Sequence, residues 1–183
     1  MTTEADAGAG AIETAAPDVL IIGCGRSSRR DDQFGLHVAA RLAEAPPAGV
    51  RVLATEAPGA DLLTNLEGIR LLVIVDAARG GETGRWRRLV FAGAGPIDRA
   101  GALLDVGLRS LHSSHLIGVA EALRIGEELE MLPPQIWIYA AAGEDFGYGE
   151  EMTGPVARAA GEVVWQIRSD VVEWQARRGL CHA

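Results

Sequence analysis

The stretch Val19-Leu20-Ile21-Ile22-Gly23-Cys24-Gly25-Arg26-Ser27-Ser28-Arg29-Arg30-Asp31-Asp32-Gln33-Phe34-Gly35 decides the fold. It opens on a short apolar run that would present hydrophobic side chains to both faces, as a buried parallel strand does. Gly23-Cys24-Gly25 stops the run, and a polar loop leads to Asp31-Asp32. From Phe34 onward, Phe34, Leu36, Val38, Ala39, Leu42 and Ala43 fall at helical spacing, ahead of the Pro46-Pro47 stop. The unit is strand, loop, helix.

The same alternation continues outward. Residues 50–54 read as a second strand, and 61–66 as a short helix after the Pro58-Gly59 turn. Residues 71–75 form the most apolar strand, which ends in Asp76. Residues 85–91 suit an extra strand whose charge and Trp86 favour the sheet edge. The stretch 93–109 is Gly-rich and weakly patterned. Ser113-Ser114 can cap a helix over 115–130 with Leu116, Val119, Ala120, Leu123 and Leu129 as its core stripe. Pro133-Pro134 then introduces a strand over 135–140, a Gly-rich loop follows over 143–149, and a long helix over 155–174 begins at Pro155. Such alternation predicts an α/β fold: a single domain with a mostly parallel twisted sheet of about five strands and helices on both faces. The domain is expected over 17–176, between a disordered leader, 1–16, and a tail, 177–183.

A chain of 183 residues suits one domain with a sizeable core, and 48% hydrophobic with 23% charged residues is ordinary for a soluble protein. The formal charge is −8 and every one of the 17 basic residues is arginine. The arginine-dense spot Arg85-Trp86-Arg87-Arg88 reads as an edge strand, so no nucleic-acid partner is expected. Cys24 and Cys181 form no paired motif, which excludes a disulfide framework or zinc knuckle. Cys24 reads as a reduced core thiol, and Cys181 lies beside His182 in the tail. The first sixteen residues lack the basic start of a secretory signal, and no run reaches the ~18 apolar residues of a membrane span. A cytoplasmic location with no membrane partner is expected.

Ligands of open parallel sheets bind beyond the carboxyl ends of the strands. Asp31-Asp32 follows the first strand there, Asp76 closes the third, and His115 opens a helix. Each has a structural alternative. A carboxylate ahead of a helix caps free N–H groups, a role that suits Asp31 and leaves Asp32 available. Asp76 could shape a turn, and His115 could simply begin its helix. A helix N-terminus disfavours the imidazolium form, however, and the neutral imidazole is the metal ligand. His112 lies upstream of the cap, and His37 reads as structural on the first helix. Two carboxylates and one imidazole make an oxygen and nitrogen site for a divalent ion. No G-x-S-x-G elbow or H-E-x-x-H helix is present. Gly23-Cys24-Gly25 begins like a dinucleotide fingerprint, but position 28 is Ser, and Asp31 and Asp32 would repel a pyrophosphate.

These residues, in this order, resemble the [NiFe]-hydrogenase maturation endopeptidases. That family has a strand, Gly-x-Gly-Asn, a short loop, an acidic pair and a nearby glycine, similar to the segment from Ile21 to Gly35 here. Its second carboxylate ends an apolar strand, as in Val75-Asp76-Ala77. Its S-x-H-x-x-G pattern matches Ser113-Ser114-His115-Leu116-Ile117-Gly118. Residues 136–139 and Met152-Thr153-Gly154-Pro155-Val156 look like its last strand and helix. The resemblance spans roughly 18–172, with Arg26 in place of the asparagine and Gln33 in place of a small residue. It implies an endopeptidase that removes the C-terminal extension from the nickel-loaded precursor of a hydrogenase large subunit. Asp32, Asp76 and His115 would complete the coordination of a nickel ion supplied by the substrate, with Asp32 or Asp76 as the catalytic carboxylate and no organic cofactor. The chain is expected to be a monomer. A non-catalytic, metal-checking chaperone on the same fold is the alternative.

Overall fold

The computed structural model describes residues 17–92 and 114–180, apart from the side chains of 60, 114–117 and 180. Its centre is the strand pair that the sequence makes most apolar. Strand β1 (Val19–Cys24) is buried along its whole length and lies parallel to both β2 (Val50–Thr55) and β3 (Leu71–Arg79). Strand β3 pairs in parallel with β5 (Gln135–Gly143), and β5 pairs antiparallel with β4 (Trp86–Ala92). The sheet order is β2-β1-β3-β5-β4. As its arginines and Trp86 foretold, β4 is an edge.

Helices cover both faces because the inner strands are apolar on both. Helices α1 (Phe34–Ala43) and α4 (Gly154–Leu180) pack on Ile21, Val73, Val75 and Tyr139. Helices α2 (Pro58–Thr64) and α3 (Ser114–Glu128) cover Leu20, Ile22, Leu72 and Ile74. Complete burial of each such side chain contributes about 1.5–3 kcal/mol. A polar tie joins α4 to the sheet: the Tyr139 hydroxyl donates to Asp170 at 2.5 Å, and Arg88 of β4 pairs with the same carboxylate. Burial and the Asp170 charge push the Tyr139 phenol above its ordinary range.

Several boundaries differ from the expectation. Strands β3 and β5 run on together, with Ala77, Ala78 and Arg79 opposite Ala141, Ala142 and Gly143. Asp76 therefore lies inside a strand instead of closing it. Helix α3 stops at Glu128, and Leu129 is exposed outside the core stripe, because Glu130 takes a positive φ of 53° that ends the helix. Helix α4 continues to Leu180, into the stretch read as a tail. His37 does lie on α1, but on its exposed side. The leader, the stretch 93–109, His112, Cys181 and His182 lie outside the described residues. Among the described residues, no helix is long and apolar enough to cross a membrane.

Candidate active site

The site forms where β1 stops at Cys24 while β3 continues. A turn of 3-10 helix, Arg30–Gln33, folds over the tip of β1 and delivers Asp31 and Asp32, both buried. Two glycines make this fold-back possible. A Cβ on Gly25 would lie 2.0 Å from the Asp32 carbonyl oxygen, and one on Gly35 would lie 2.3 Å from the carbonyl oxygens of both Cys24 and Val75. The start of α1 thus rests directly on the backbone of β1 and β3.

Asp76 is fully buried and alternates with Leu72 and Ile74, so its side chain faces the α2 and α3 side of the sheet. Its Oδ1 accepts the Ala77 N–H at 2.8 Å, but its Oδ2 has no hydrogen-bond partner among the described residues. Burial pushes the Asp76 carboxyl well above the usual carboxylate range. The Ala77 N–H offsets part of that, and the negative charge of Asp32 pushes it further upward. Asp32 itself is 5% exposed, at the rim of the same pocket of charge. Cys24, the expected core thiol, is buried and unpaired with another cysteine. Burial and the charges of Asp76 and Asp61 raise its thiol well above the ordinary range.

A lone buried carboxylate oxygen is costly unless something completes it, so it marks an acceptor held ready for a proton or a cation. Oxygen donors of this kind suit a divalent ion. His115 is the second residue of α3, and its side chain lies outside the described residues. The backbone still locates its helix. It packs against α2. The face it covers is the one toward which Asp76 points. Among the described residues, the Asp32 charge acts on Asp76, and no group of three metal-ligating side chains occurs.

Asp31 has a role that sequence reading missed. It is the N-cap residue of neither the 3-10 turn nor α1; those are Arg29 and Gln33. Its Oδ2 instead accepts the Glu144 and Asp145 N–H groups, each at 2.9 Å, and its Oδ1 accepts the Thr153 N–H at 2.7 Å. The Thr153 hydroxyl adds a contact at 3.1 Å. Arg30 N–H donates to the Gly149 carbonyl and Gly149 N–H to that of Ser28, so the loops after β1 and β5 are stitched together. Gln33, which departs from the family pattern, joins this seam by donating to the Glu150 carbonyl. Asp31→Asn turns an NH2 group toward part-buried N–H donors on one side or the other. It is expected to cost about 3 kcal/mol, read as a lower urea midpoint. A loss of only about 1 kcal/mol, the value for a simple helix cap, would show that the seam does not depend on the charge.

The fold is that of the hydrogenase maturation endopeptidases. The maturating endopeptidase HybD of Escherichia coli superposes with a TM-score of 0.71 at 19% identity, over 85% of this chain and 92% of that one. The [NiFe] hydrogenase maturation protease HybD of Thermococcus kodakarensis gives 0.65 at 20% identity, over 84% and 97%. The hydrogenase 2 maturation peptidase of a Thaumarchaeota archaeon gives 0.58 at 21%, also over 84% and 97%. No protein-family model matches the chain, and no curated protein matches it by sequence.

Proposed function

We propose that the chain is a processing endopeptidase that removes the C-terminal extension from the nickel-loaded precursor of a [NiFe]-hydrogenase large subunit. The observation that carries this reading is the buried, unpartnered Oδ2 of Asp76 beside the charge of Asp32, on the fold shared with maturation endopeptidases. Without a cation, the pair discourages its own ionisation. A cation brought by the substrate reverses that balance, so Asp76 releases its proton as the ion arrives. On this reading the nickel is part of the substrate, and the chain supplies Asp76, Asp32 and His115 around it. Asp32, nearer the surface, takes a proton from the attacking water while the nickel polarises the scissile carbonyl. The proton then passes to the leaving amine, and the free extension departs.

Purified chain mixed with nickel-loaded and nickel-free precursor should shorten the loaded form alone. If neither precursor is shortened, the endopeptidase reading fails and the metal-checking scaffold takes its place. His115→Ala should lower processing by at least about a hundredfold with an unchanged far-ultraviolet circular dichroism spectrum. Processing at the parental rate would remove His115 from the site.

A further inference from the structure

Cys24 is the last residue of β1, and Asp76 lies on the neighbouring strand β3. The register pairs Gly23 with Val75, so the positions that follow, Cys24 and Asp76, stand side by side. Adjacent strands are about 4.8 Å apart, and side chains alternate between the two faces of a sheet. Cys24 shares its face with Leu20 and Ile22, and Asp76 shares that same face with Leu72 and Ile74. The thiol and the carboxyl are therefore neighbours where β1 stops.

A cysteine that only fills a core sits among apolar side chains. Besides burial, the charges of two carboxylates, Asp76 and Asp61, act on the Cys24 thiol. Asp61 comes from α2, where it accepts the hydroxyl of Thr55, the residue opposite Cys24 on β2, at 2.6 Å. Carboxylates around a buried thiol oppose its ionisation, and a cation reverses the sign of that effect. The second mark of such a cation is Asp76 itself, fully buried with an Oδ2 that has no partner among the described residues. An ion bound at about 2.3 Å to sulfur and about 2.1 Å to oxygen can be reached from both strands at once. No group of three ligands occurs among the described residues, so the pair leaves coordination positions open for donors that arrive with the ion.

We propose that Cys24 is a sulfur ligand which, together with Asp76, binds a soft divalent ion. Thiolate sulfur favours such ions, whereas carboxylates alone suit Mg2+ and Ca2+ equally well. On binding, the thiol gives its proton to solvent and an electron pair to the ion, with no change of oxidation state. That the ion is nickel carried by a precursor rests on the endopeptidase reading; the sulfur and oxygen pair does not.

The test is titration of the full chain carrying Cys181→Ser with Co2+, under reductant, followed by near-ultraviolet absorption. Cys24 is then the sole thiol, and its thiolate on Co2+ gives a sulfur-to-metal charge-transfer band. The band should saturate at one ion per chain, persist in excess Mg2+, and vanish when Cys24→Ser is added. Asp76→Asn should weaken the binding read from this band at least about tenfold. Circular dichroism checks the fold of each variant. Should Cys24→Ser fail to fold, the band of the Cys181→Ser chain and its response to Asp76→Asn still decide. No band with Co2+ well in excess of the chain, a band displaced by Mg2+, or an affinity unchanged by Asp76→Asn overturns the proposal. The titration involves no cleavage. A band from a chain that trims no precursor sinks the endopeptidase reading alone, while trimming by a chain that gives no band sinks the sulfur ligand alone.

Discussion

Asp76→Asn is expected to lose at least about a hundredfold in precursor processing and, at neutral pH, to melt higher than the parent chain. The two effects have one origin. In the folded chain the Asp76 carboxyl is pushed well above its ordinary range, and one of its oxygens has no donor among the described residues. At low pH the side chain is protonated in folded and unfolded chains alike, so its contribution to stability is fully present. As pH rises past about 4, the unfolded chain ionises while the folded one keeps its proton. The contribution is lost progressively until the raised folded value is passed. Asparagine has no proton to lose, so its advantage grows over the same window. A gain on the order of 1 kcal/mol is usual when a functional group held at a cost is neutralised, which is about 2–4 °C in a domain of this size. Thermal melts at pH 4 and pH 7.5 check the slope. A variant that processes normally, or that melts lower at pH 7.5, would show that Asp76 is an ordinary core residue.

Gly35→Ala should be among the most damaging single methyls in the described chain. The new Cβ meets main-chain oxygens of β1 and β3 at 2.3 Å, and neither strand can yield because both lie at the centre of the sheet. The helix must lift away, carrying Phe34 and Val38 out of the core. A loss of at least about 3 kcal/mol follows, seen as a fall in urea midpoint or as insoluble protein. Gly59→Ala is the control. It lies in α2 with nothing within 4 Å of the added methyl, and alanine favours a helix over glycine by about 1 kcal/mol. A Gly35→Ala variant as stable as its Gly59→Ala counterpart would contradict the close packing of α1 on the strand tips.

The sheet and its helices were legible because the pattern is strong. Val19 to Ile22 and Leu71 to Val75 are apolar at every position, and only burial between two layers accounts for that. The reach of β3 and β5 was hidden, since Ala77, Ala78, Ala141 and Ala142 carry little strand preference. They stay in the sheet because their neighbours across the ladder do. Asp32 and Asp76 were singled out by position along the chain. Asp31 was found but given the wrong task, because a carboxylate before a helix most often caps that helix. Its true partners are 113 to 122 positions away in sequence, and no local pattern announces them.

The seam between the two loops changes how variation around the site is read. Residues 28–32 and 144–153 look like separate connections, free to drift independently. Because Asp31 and the exchange of main-chain bonds at Gly149 bind them, they share a single opening equilibrium. An insertion after β5 would therefore be felt by Asp32 as strongly as a change beside it, and substitutions on the two sides would not add. The segment that carries Asp32 is in effect hemmed to the residue that leads into α4. Stiffness at the site is inherited from a helix that contributes no proposed ligand to it.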